Sequence, residues 1–544
     1  MTPSQPASRP ERLAKVLVLD RVDPAAIPLL DAVAEVDARD AIAPDDLLAI
    51  IGDYDALMVR SATKVTREVI EAGRKLRIIG RAGVGVDNID VPAATQAGII
   101  VVNSPEGNTI AASEHALALM LALARRIPPA DASMKAGLWQ REAFMGSELY
   151  QKVLGVMGLG KIGARLVKAA NALGMRVLAY DPFVTPERAS EMGAELMSLD
   201  ELLASSDYLS IHVPKTPETS GLFDRETLAK CKRGIRIVNA ARGGIIDEDA
   251  LAEAIREGQV AGAALDVFAH EPLPELSPLR DLGDRIILTP HLGASTEEAQ
   301  IKVAVDVAEQ IACVLTGEPA RSAVNIPSMR PELIEPVKAY LPLAEKLGSL
   351  VAQIMHGPAR RIEVLYQGGL AGKAIEPLTT AVLKGILSQA VPEGVNYVNA
   401  SLVAKERGLE VREARSSEAK DYADLITVTL VGDGMQHTVA GTLLSETGPG
   451  GGARLVKIDD FAFNLMPQGY VLLIPHQDMP GAVGHVGTLL GQANINIFGL
   501  QLGRQYKNGP AMMVLNVDDA VPAEMLAALG KLPGFRDVSC VHLA

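Results

Sequence analysis

Short apolar runs alternate with helical stretches from residue 15 to residue 295 of the chain. The runs are rich in Val, Ile and Leu and have the length of buried strands. Strands that alternate with helices predict parallel sheets covered by helices, which is the α/β fold class. The predicted strands are Val16–Leu19, Ala56–Val59, Leu76–Ile79, Ile99–Val102, Val153–Met157, Met175–Tyr180, Tyr208–Val213, Ile235–Ala240, Val260–Val267 and Ile286–Thr289.

Two long helices stand out among these strands. Ser113–Arg125 is strongly apolar, which predicts a buried connector between two domains rather than a surface element. Thr296–Leu315 is typical of one long helix, and it ends where Gly317 and Pro319 interrupt the pattern. A shorter helix is predicted at Pro24–Val33, directly after the first strand.

The pattern changes beyond residue 328. Residues 330–460 mix helix and strand patterns, with paired strands predicted around Ala423–Val431 and Leu455–Phe463. The glycine-rich stretch Gly448–Ala453 between them carries no strand signal and predicts a flexible loop. This mixture indicates an α+β unit.

The last segment, Gly469–Ala544, has a clearer order. It predicts strand, helix, strand, strand, helix and strand, which is the order of a ferredoxin-like unit. Its first strand is predicted at Tyr470–Ile474, and His476 and Asp478 are expected in the turn that follows. Polar side chains on such a turn suit either an amino-acid ligand or ordinary turn and cap chemistry.

A glycine motif follows the strand at Val153–Met157. Gly158, Gly160 and Gly163 have G-x-G-x-x-G spacing, and the helix after them leads to a second strand and then Asp181. In dinucleotide-binding folds such glycines permit a tight turn, close approach of the pyrophosphate and close helix packing, while the acid binds ribose. A glycine-rich turn in another α/β unit is the alternative, but it leaves Asp181 unexplained.

Three polar residues follow predicted strands of the same region. Arg242 follows the predicted strand that ends at Ala240, Glu271 follows the one that ends at Val267, and His291 follows the one that ends at Thr289. Open α/β sheets bind ligands at these carboxyl ends of their strands. An arginine binds a carboxylate through two parallel hydrogen bonds, and a histidine accepts a hydroxyl proton as hydride leaves the same carbon. A carboxylate beside the histidine favours its charged form. Taken singly, each residue has another explanation: Arg242 fits a surface ion pair, Glu271 a solvated loop acid and His291 a histidine with a satisfied position in a turn.

Composition narrows the classes of function. At 544 residues the chain predicts roughly three or four domains. The net charge of −14 and an aromatic content of 3% argue against a nucleic-acid partner. The three cysteines lack metal-ligand spacing, which predicts reduced thiols in a cytoplasmic protein and no bound metal. No apolar run has the length of a membrane span, and Met1–Pro10 predicts a disordered tail.

Seven short motifs in the first 295 residues form a recognisable set. They are Gly158–Gly163, Asn239–Gly244, Leu265–Pro272 and Pro290–Ser295, together with Arg60–Thr63, Gly80–Asp87 and Asn103–Asn108. In these motifs the chain resembles the D-isomer-specific 2-hydroxyacid dehydrogenases. It is most similar to their long form that oxidises 3-phospho-D-glycerate, because its later segments resemble the intervening and ACT regulatory domains of that form.

This resemblance implies a split architecture. A flavodoxin-like substrate domain is interrupted by a doubly wound, parallel-sheet cofactor domain, and an α+β intervening domain and a ferredoxin-like ACT domain follow. The implied ranges are 1–108 and 295–328 for the substrate domain, 109–294 for the cofactor domain, 329–468 for the intervening domain and 469–544 for the ACT domain.

The resemblance also implies roles for single residues. Arg242 binds the substrate carboxylate, His291 is the acid–base group and Glu271 is its partner. The other implied contacts are Gly158, Gly160, Lys161, Ile162, Gly163, Asp181, Ala240, Asp266 and Gly293 for NAD, Arg60, Val84 and Asn108 for substrate, and His476, Asp478 and Asn496 for the effector L-serine. Arg60 and Arg81 are the cations available for the substrate phosphate.

The implied function is NAD-dependent oxidation of 3-phospho-D-glycerate to 3-phosphooxypyruvate, the first step of phosphorylated L-serine biosynthesis. The implied protein is a cytoplasmic homo-oligomer, a dimer or tetramer, inhibited by L-serine, with no nucleic-acid or membrane partner. One alternative is a glyoxylate or hydroxypyruvate reductase, whose usual chain ends near residue 330. Another is a non-catalytic dinucleotide-sensing binding protein of the same fold. The regulatory tail argues against both.

Overall fold

The computed structural model describes residues 13–326, 330–390, 394–419, 421–444 and 451–543. The predicted N-terminal tail and the first half of the predicted loop at Gly448–Ala453 lie outside these residues, whereas the last two residues of that loop begin a strand instead. Four sheets organise the described chain. In the described ranges, no helix is long and apolar enough to cross a membrane.

The first sheet has five parallel strands in the order β2-β1-β3-β4-β5, the flavodoxin-like order predicted for the substrate domain. Its strands are β1 Ala14–Val18, β2 Ala34–Ala38, β3 Ala56–Val59, β4 Ile78–Arg81 and β5 Ile100–Asn103. The helices between them are α1 Ile27–Asp31, α2 Pro44–Ile50, α3 Arg67–Ala72 and α4 Val91–Gln96. Short 3₁₀ helices at Pro24–Ala26 and Ile51–Asp53 adjoin α1 and α2.

Strand β2 was absent from the sequence prediction. It lies at the edge of the sheet and alternates apolar residues with Glu35 and Asp37, so it has no continuous apolar run. The helix predicted at Pro24–Val33 is therefore shorter, and it ends at Asp31 to let this strand begin.

The second sheet has seven parallel strands in the order β12-β11-β10-β9-β6-β7-β8, which confirms the doubly wound prediction. Its strands are β6 Val153–Met157, β7 Arg176–Tyr180, β8 Glu195–Leu196, β9 Tyr208–Ile211, β10 Ile235–Asn239, β11 Val260–Leu265 and β12 Ile286–Leu288. Its helices are α5 Thr109–Arg125, α6 Ile127–Lys135, α7 Lys161–Ala172, α8 Pro186–Met192, α9 Leu199–Ser205, α10 Arg225–Lys230 and α11 Glu248–Arg256. The strand order reverses between β6 and β9, and such a switch point opens a binding crevice at the carboxyl ends of the strands.

The long helix α12, Glu297–Leu315, returns from the second sheet to the first. Its buried residues Val303, Val307 and Ile311 belong to the same core cluster as Val16 and Ile78 of the first sheet. This return confirms the split character of the substrate domain. The apolar helix α5 makes the outward crossing, and it packs on α7, β10 and β11 as the buried connector predicted from its sequence.

The third sheet is mixed and has the order β14-β13-β15-β16-β17-β18. Its strands are β13 Ala359–Gly368, β14 Glu410–Ser416, β15 Asp424–Gly432, β16 Gln436–Leu444, β17 Gly452–Ile458 and β18 Phe461–Leu465. Its helices are α13 Pro331–Ile334, α14 Leu341–Ile354, α15 Glu376–Ala390 and α16 Ala400–Glu406. The stretch predicted as a strand at Leu455–Phe463 belongs to two strands, because Asp459 adopts a φ of 48° and turns the chain.

The fourth sheet has the antiparallel order β20-β21-β19-β22 with two helices on one face, which confirms the ferredoxin-like prediction. Its elements are β19 Gly469–Gln477, α17 Ala482–Gln492, β20 Ile497–Arg504, β21 Pro510–Val517, α18 Ala523–Gly530 and β22 Ser539–Leu543. The other face is not free, since Val471, Val514 and Val541 belong to the core cluster of the third sheet. The predicted position of His476 in a turn was wrong, because β19 continues to pair with β21 through Gln477.

Candidate active site

The loops after β11 and β12 bring the predicted acid and histidine into contact. Nδ1 of His291 lies 2.8 Å from Oε2 of Glu271, while the other Glu271 oxygen accepts from the Phe268 N–H at 3.0 Å. The carboxylate is thus fixed by the backbone of its own loop. Because this contact occupies Nδ1, Nε2 of His291 is the ring nitrogen left for proton exchange with a substrate.

Arg242 stands on the loop after β10 and reaches toward the first sheet. Its Nη1 donates to the Ala241 carbonyl at 2.7 Å, and its Nε lies 3.5 Å from a carboxylate oxygen of Asp87. Asp87 follows β4, so the pair spans the space between the first two sheets. The Arg242 side chain is 30% exposed, which leaves a face of the guanidinium open to a bound anion.

The turn that carries His291 is held by Asp266. His291 has a φ of 55°, in the left-handed region that costs a non-glycine residue about 1–3 kcal/mol. Its N–H donates to the Asp266 carbonyl at 2.9 Å. The Asp266 carboxylate accepts from the N–H groups of Leu292 and Gly293, both at 2.8 Å. Asp266 therefore binds three consecutive N–H groups of this strained turn.

Two further residues contact the Asp266 carboxylate, and the sequence analysis named neither as part of a site. Thr289 Oγ1 donates to Oδ1 at 2.5 Å, and Nε2 of His115 lies 3.1 Å from the same oxygen. Asp266 is fully buried. Burial raises the pKa of Asp266, but the hydrogen bonds from His115, Thr289 and Leu292 outweigh it and leave the pKa below its usual value. The available signal was the single histidine on the apolar helix α5.

The glycine turn after β6 has the predicted local geometry. Gly158 has a φ of 94°, and a Cβ there would lie 2.7 Å from the His212 carbonyl oxygen. A Cβ on Gly163 would lie 2.0 Å from the Gly158 carbonyl oxygen, so α7 approaches the turn as closely as glycine allows. A Cβ on Gly160 would meet nothing within 4 Å, which leaves open space at the start of α7.

Asp181 stands directly after β7 and faces this turn. Its Oδ2 accepts from the Leu159 N–H at 2.8 Å, and its Oδ1 accepts from the Phe183 N–H at 2.9 Å. The acid therefore joins the end of β7 to the glycine turn. Lys161 and Ile162 are the first residues of α7, and Lys161 forms an ion pair with Glu106 on the opposite side of the crevice.

The other predicted cofactor residues gather at the edge of the second sheet. A Cβ on Gly293 would lie 3.3 Å from Oδ2 of Asp266 and 3.8 Å from the Ala240 carbonyl oxygen. The loops after β10, β11 and β12 therefore meet at this point. Within the described chain, no group of His, Cys, Asp and Glu side chains is placed to hold a metal ion.

The predicted substrate residues line the first-sheet side of the crevice. Nε of Arg81 and Oδ1 of Asn108 are buried without a hydrogen-bond partner among the described residues. Burial lowers the pKa of Arg81, and the positive charge of Arg242 lowers it further, followed by that of Arg60. Val84 lies on the same loop, where its carbonyl accepts from Asn103 Nδ2 at 2.5 Å. Arginines that oppose one another in this way favour a ligand with several negative charges.

The structure does not bring the three predicted effector residues together within one chain. His476 is buried, its Nδ1 lies 3.1 Å from the Ile474 carbonyl, and its ring stacks on Phe535 with centroids 5.2 Å apart. Asp478 accepts from Arg504 at 3.1 Å and lies beyond the same end of β19.

Asn496 lies toward the other end of the fourth sheet. It precedes Ile497, which pairs with Val517, and Val517 pairs with Tyr470 at the start of β19. The six steps along the strand from Tyr470 to His476 span about 20 Å at 3.3 Å per residue. Asn496 donates to Asp518 at 2.8 Å and is exposed. One small ligand therefore cannot contact all three residues of a single chain.

Family models match three segments of the chain. Residues 117–293 match the NAD binding domain of the D-isomer specific 2-hydroxyacid dehydrogenases, and residues 336–459 match the D-3-phosphoglycerate dehydrogenase intervening domain. Residues 470–534 match the ACT domain.

Relatives of known name match nearly the whole chain. A D-3-phosphoglycerate dehydrogenase from Synechocystis is 52% identical over 532 residues, which cover 98% of this chain and 95% of the relative. The chain belongs to the D-3-phosphoglycerate dehydrogenase family. A second member, from Methanocaldococcus jannaschii, is 44% identical over 98% of this chain and 100% of its own length.

Solved structures match somewhat more than half of the chain. The apo-structure of D-lactate dehydrogenase from Escherichia coli is 27% identical, with a TM-score of 0.52 over 57% of this chain and 99% of its own. A glyoxylate reductase from Paecilomyes thermophila is 30% identical, with a TM-score of 0.52 over 57% of this chain and 98% of its own. Such chains lack counterparts of the rest of this one, which argues against the glyoxylate reductase alternative.

Proposed function

We propose that the crevice between the first two sheets oxidises 3-phospho-D-glycerate to 3-phosphooxypyruvate with NAD. Membership of the D-3-phosphoglycerate dehydrogenase family supports this reaction. The observation that carries the proposed mechanism is the contact of 2.8 Å between His291 and Glu271, beside a group of incompletely neutralised arginines.

In the proposed mechanism Arg242 binds the substrate carboxylate, and Nε2 of His291 faces the hydroxyl on the neighbouring carbon. The hydroxyl proton passes to Nε2 as the carbon–hydrogen bond breaks and a C=O bond forms. Bound NAD supplies the acceptor for the hydride. Glu271 stabilises the imidazolium that results, because a carboxylate at hydrogen-bond distance favours the charged ring. In the reverse direction the same imidazolium returns its proton.

The substrate phosphate is assigned to Arg81 and Arg60. Arg81 offers a half-buried guanidinium whose buried Nε has no partner among the described residues, and Arg60 lies near enough to lower the Arg81 pKa. A phosphate would relieve this repulsion by placing negative charge between the two cations. Val84 and Asn108 complete the proposed contacts on the first-sheet side.

NAD is assigned to the glycine turn and to the edge where β10, β11 and β12 end. The open space at Gly160 and the N–H groups at the start of α7 suit the pyrophosphate. Asp181 is the proposed ribose partner. The ranges proposed for the domains are those of the sequence analysis, and the four sheets support the division.

L-serine is the proposed inhibitor, bound between the ACT domains of two copies in a homo-oligomer. Because one chain separates Asn496 from His476 and Asp478, the site requires Asn496 from the second copy. The exposed edge strand β20, with Phe498 and Leu500, supports such pairing, since an unpaired edge can add a neighbouring strand. Three unpaired cysteines support a place in the reducing cytoplasm.

The test is a steady-state assay of the full chain with 3-phosphoglycerate and NAD. We expect kcat/KM for this substrate to exceed that for glycolate and D-glycerate, which are the reduced partners of glyoxylate and hydroxypyruvate. Equal or greater kcat/KM for either of these would contradict the substrate assignment. No turnover with any of them would favour the non-catalytic alternative. Added L-serine tests the regulation separately.

A further inference from the structure

The connector helix α5 places a histidine against the acid that holds the catalytic turn. His115 lies on its second turn with a side chain only 19% exposed, and Nε2 lies 3.1 Å from Oδ1 of Asp266. A polar ring that is largely withdrawn from water requires a partner, and an ionised carboxylate can only accept. Nε2 of His115 is therefore the donor, with Thr289 Oγ1 a further neighbour at 3.4 Å.

The Asp266 carboxylate is the point where side-chain and backbone donors meet. His115 and Thr289 donate to it from one side, and the Leu292 and Gly293 N–H groups donate from the turn. A fully buried carboxylate is costly unless its hydrogen bonds are made. Loss of one side-chain donor would make the ionised form of Asp266 less stable. A protonated Asp266 would be a poorer acceptor for the Leu292 and Gly293 N–H groups.

Asp266 binds three consecutive N–H groups of the turn, alongside the contact of Glu271 with the His291 ring. His291 lies in the left-handed region, and its own N–H is bonded to the carbonyls of Asp266 and Thr289. A shift of the Leu292 and Gly293 amides would therefore move the His291 ring. Displacement of a reacting group by about 1 Å can cost about a hundred-fold in rate.

We propose that His115 is a positioning residue for the acid–base histidine: its hydrogen bond to Asp266 fixes the turn that orients His291. The proposal rests on the role proposed above for His291. The proposal also assigns a role to the connector helix α5, which begins directly after Asn108, a proposed substrate contact. The same helix thus joins the substrate side of the crevice to the proton-transfer group.

The test compares two substitutions in the full-length enzyme. His115→Gln places an amide N–H near the position of Nε2, whereas His115→Leu retains bulk and removes the donor. We expect His115→Leu to lower kcat about ten-fold or more, within the range that misplacement of a reacting group can produce. His115→Gln should recover most of it. The dissociation constant of NADH, measured by fluorescence, should rise less than kcat falls, because Gly293 moves with the turn whereas the proposed contacts at the glycine turn and Asp181 do not.

Leu119→Ala is the matched control, since Leu119 is buried on the same helix in the cluster that includes Met120 and Leu154. It should lower the melting temperature without the loss of kcat. A normal kcat in His115→Leu, an equal loss in the Gln and Leu variants, or an equal loss in Leu119→Ala would each overturn the proposal.

If His115→Leu fails to fold, His115→Asn replaces it, because the shorter amide cannot reach Asp266. Asn must then be impaired and Gln nearly normal, and equal activity of the two would overturn the proposal. A failure of the proposed dehydrogenase function would give different results from a failure of the His115 proposal. An unmodified enzyme inactive on 3-phosphoglycerate, or a His291→Ala variant with normal turnover, would refute the proposed function instead.

Discussion

The second and fourth sheets assemble their candidate sites in different ways. At the second sheet, parallel strands end at one edge, so Asp266 and Glu271, which follow β11, meet His291, which follows β12. At the fourth sheet, antiparallel strands run in both directions, and Asn496 lies about 20 Å along the sheet from His476. A parallel sheet gathers successive loops within one chain. An antiparallel sheet separates them, so a site that uses both ends needs a second copy.

The largest expected effect tests the site at the second sheet, which one chain forms by itself. His291→Ala should lower kcat about a hundred-fold or more, which is the usual scale for loss of general acid–base help. NADH binding should be nearly unchanged, because the glycine turn is a separate contact. His270→Ala is the control, since His270 is exposed on the neighbouring loop and should keep its activity. Near-normal turnover in His291→Ala would refute the proposed role.

The second effect tests the phosphate assignment at the same crevice. Arg81→Gln should raise KM for 3-phosphoglycerate about ten- to hundred-fold, the scale of one charge-assisted hydrogen bond. KM for D-glycerate, which lacks the phosphate, should change little. Arg74→Gln, on the exposed surface before β4, is the matched control. An equal rise for both substrates would place the phosphate elsewhere.

A smaller effect is expected for the choice of cofactor. Asp181 accepts hydrogen bonds from ribose hydroxyls and repels the 2′-phosphate of NADP, so NAD should be preferred. Asp181→Ala should narrow the ratio of kcat/KM for NAD and NADP by about ten-fold. It should also lower kcat with both, because Asp181 holds the Leu159 amide of the glycine turn. Equal kcat/KM for the two cofactors in the unmodified enzyme would contradict this assignment.

The two regions also differ in how far sequence reasoning reached. Periodicity and the glycine spacing predicted both parallel sheets, because buried strands there are continuous apolar runs. The apolar pattern did not predict the edge strand β2, because Glu35 and Asp37 interrupt its apolar residues. It also placed His476 in a turn, because nothing local to Tyr470–Ile474 reveals that pairing with β21 extends the strand to Gln477.

Contacts between distant elements were beyond a single-sequence argument. The motifs named Asp266 and His291, but the partnership of His115 with Asp266 depends on how α5 packs on β11. Likewise, the Glu106–Lys161 pair joins the loop after β5 of the first sheet to the start of α7 beside the second. Spacing along the chain carries no information about such packing. A lone histidine on an apolar helix is a signal worth following, because burial obliges it to find a partner.

The smallest expected effect tests the divided site of the fourth sheet. Asn496→Ala should raise the L-serine concentration for half-inhibition about five-fold, which corresponds to one hydrogen bond of about 1 kcal/mol. Gln492→Ala, on the exposed end of α17, is the control and should leave inhibition unchanged. An unaltered serine response in Asn496→Ala would remove this residue from the effector site.

Mixed oligomers decide whether two copies share the site. Asp478→Asn and Asn496→Ala subunits should each respond weakly to L-serine alone. In a pair that contains one of each, Asp478 of the second variant and Asn496 of the first would form one intact site. Refolding or co-expressing the two variants should therefore make part of the activity sensitive to L-serine again. Inhibition through this site requires that L-serine bind the inhibited arrangement of subunits more tightly than the active one. If the mixture responds no better than either variant alone, Asp478 and Asn496 do not share a serine site across copies. The effector site would then have to be sought within a single chain.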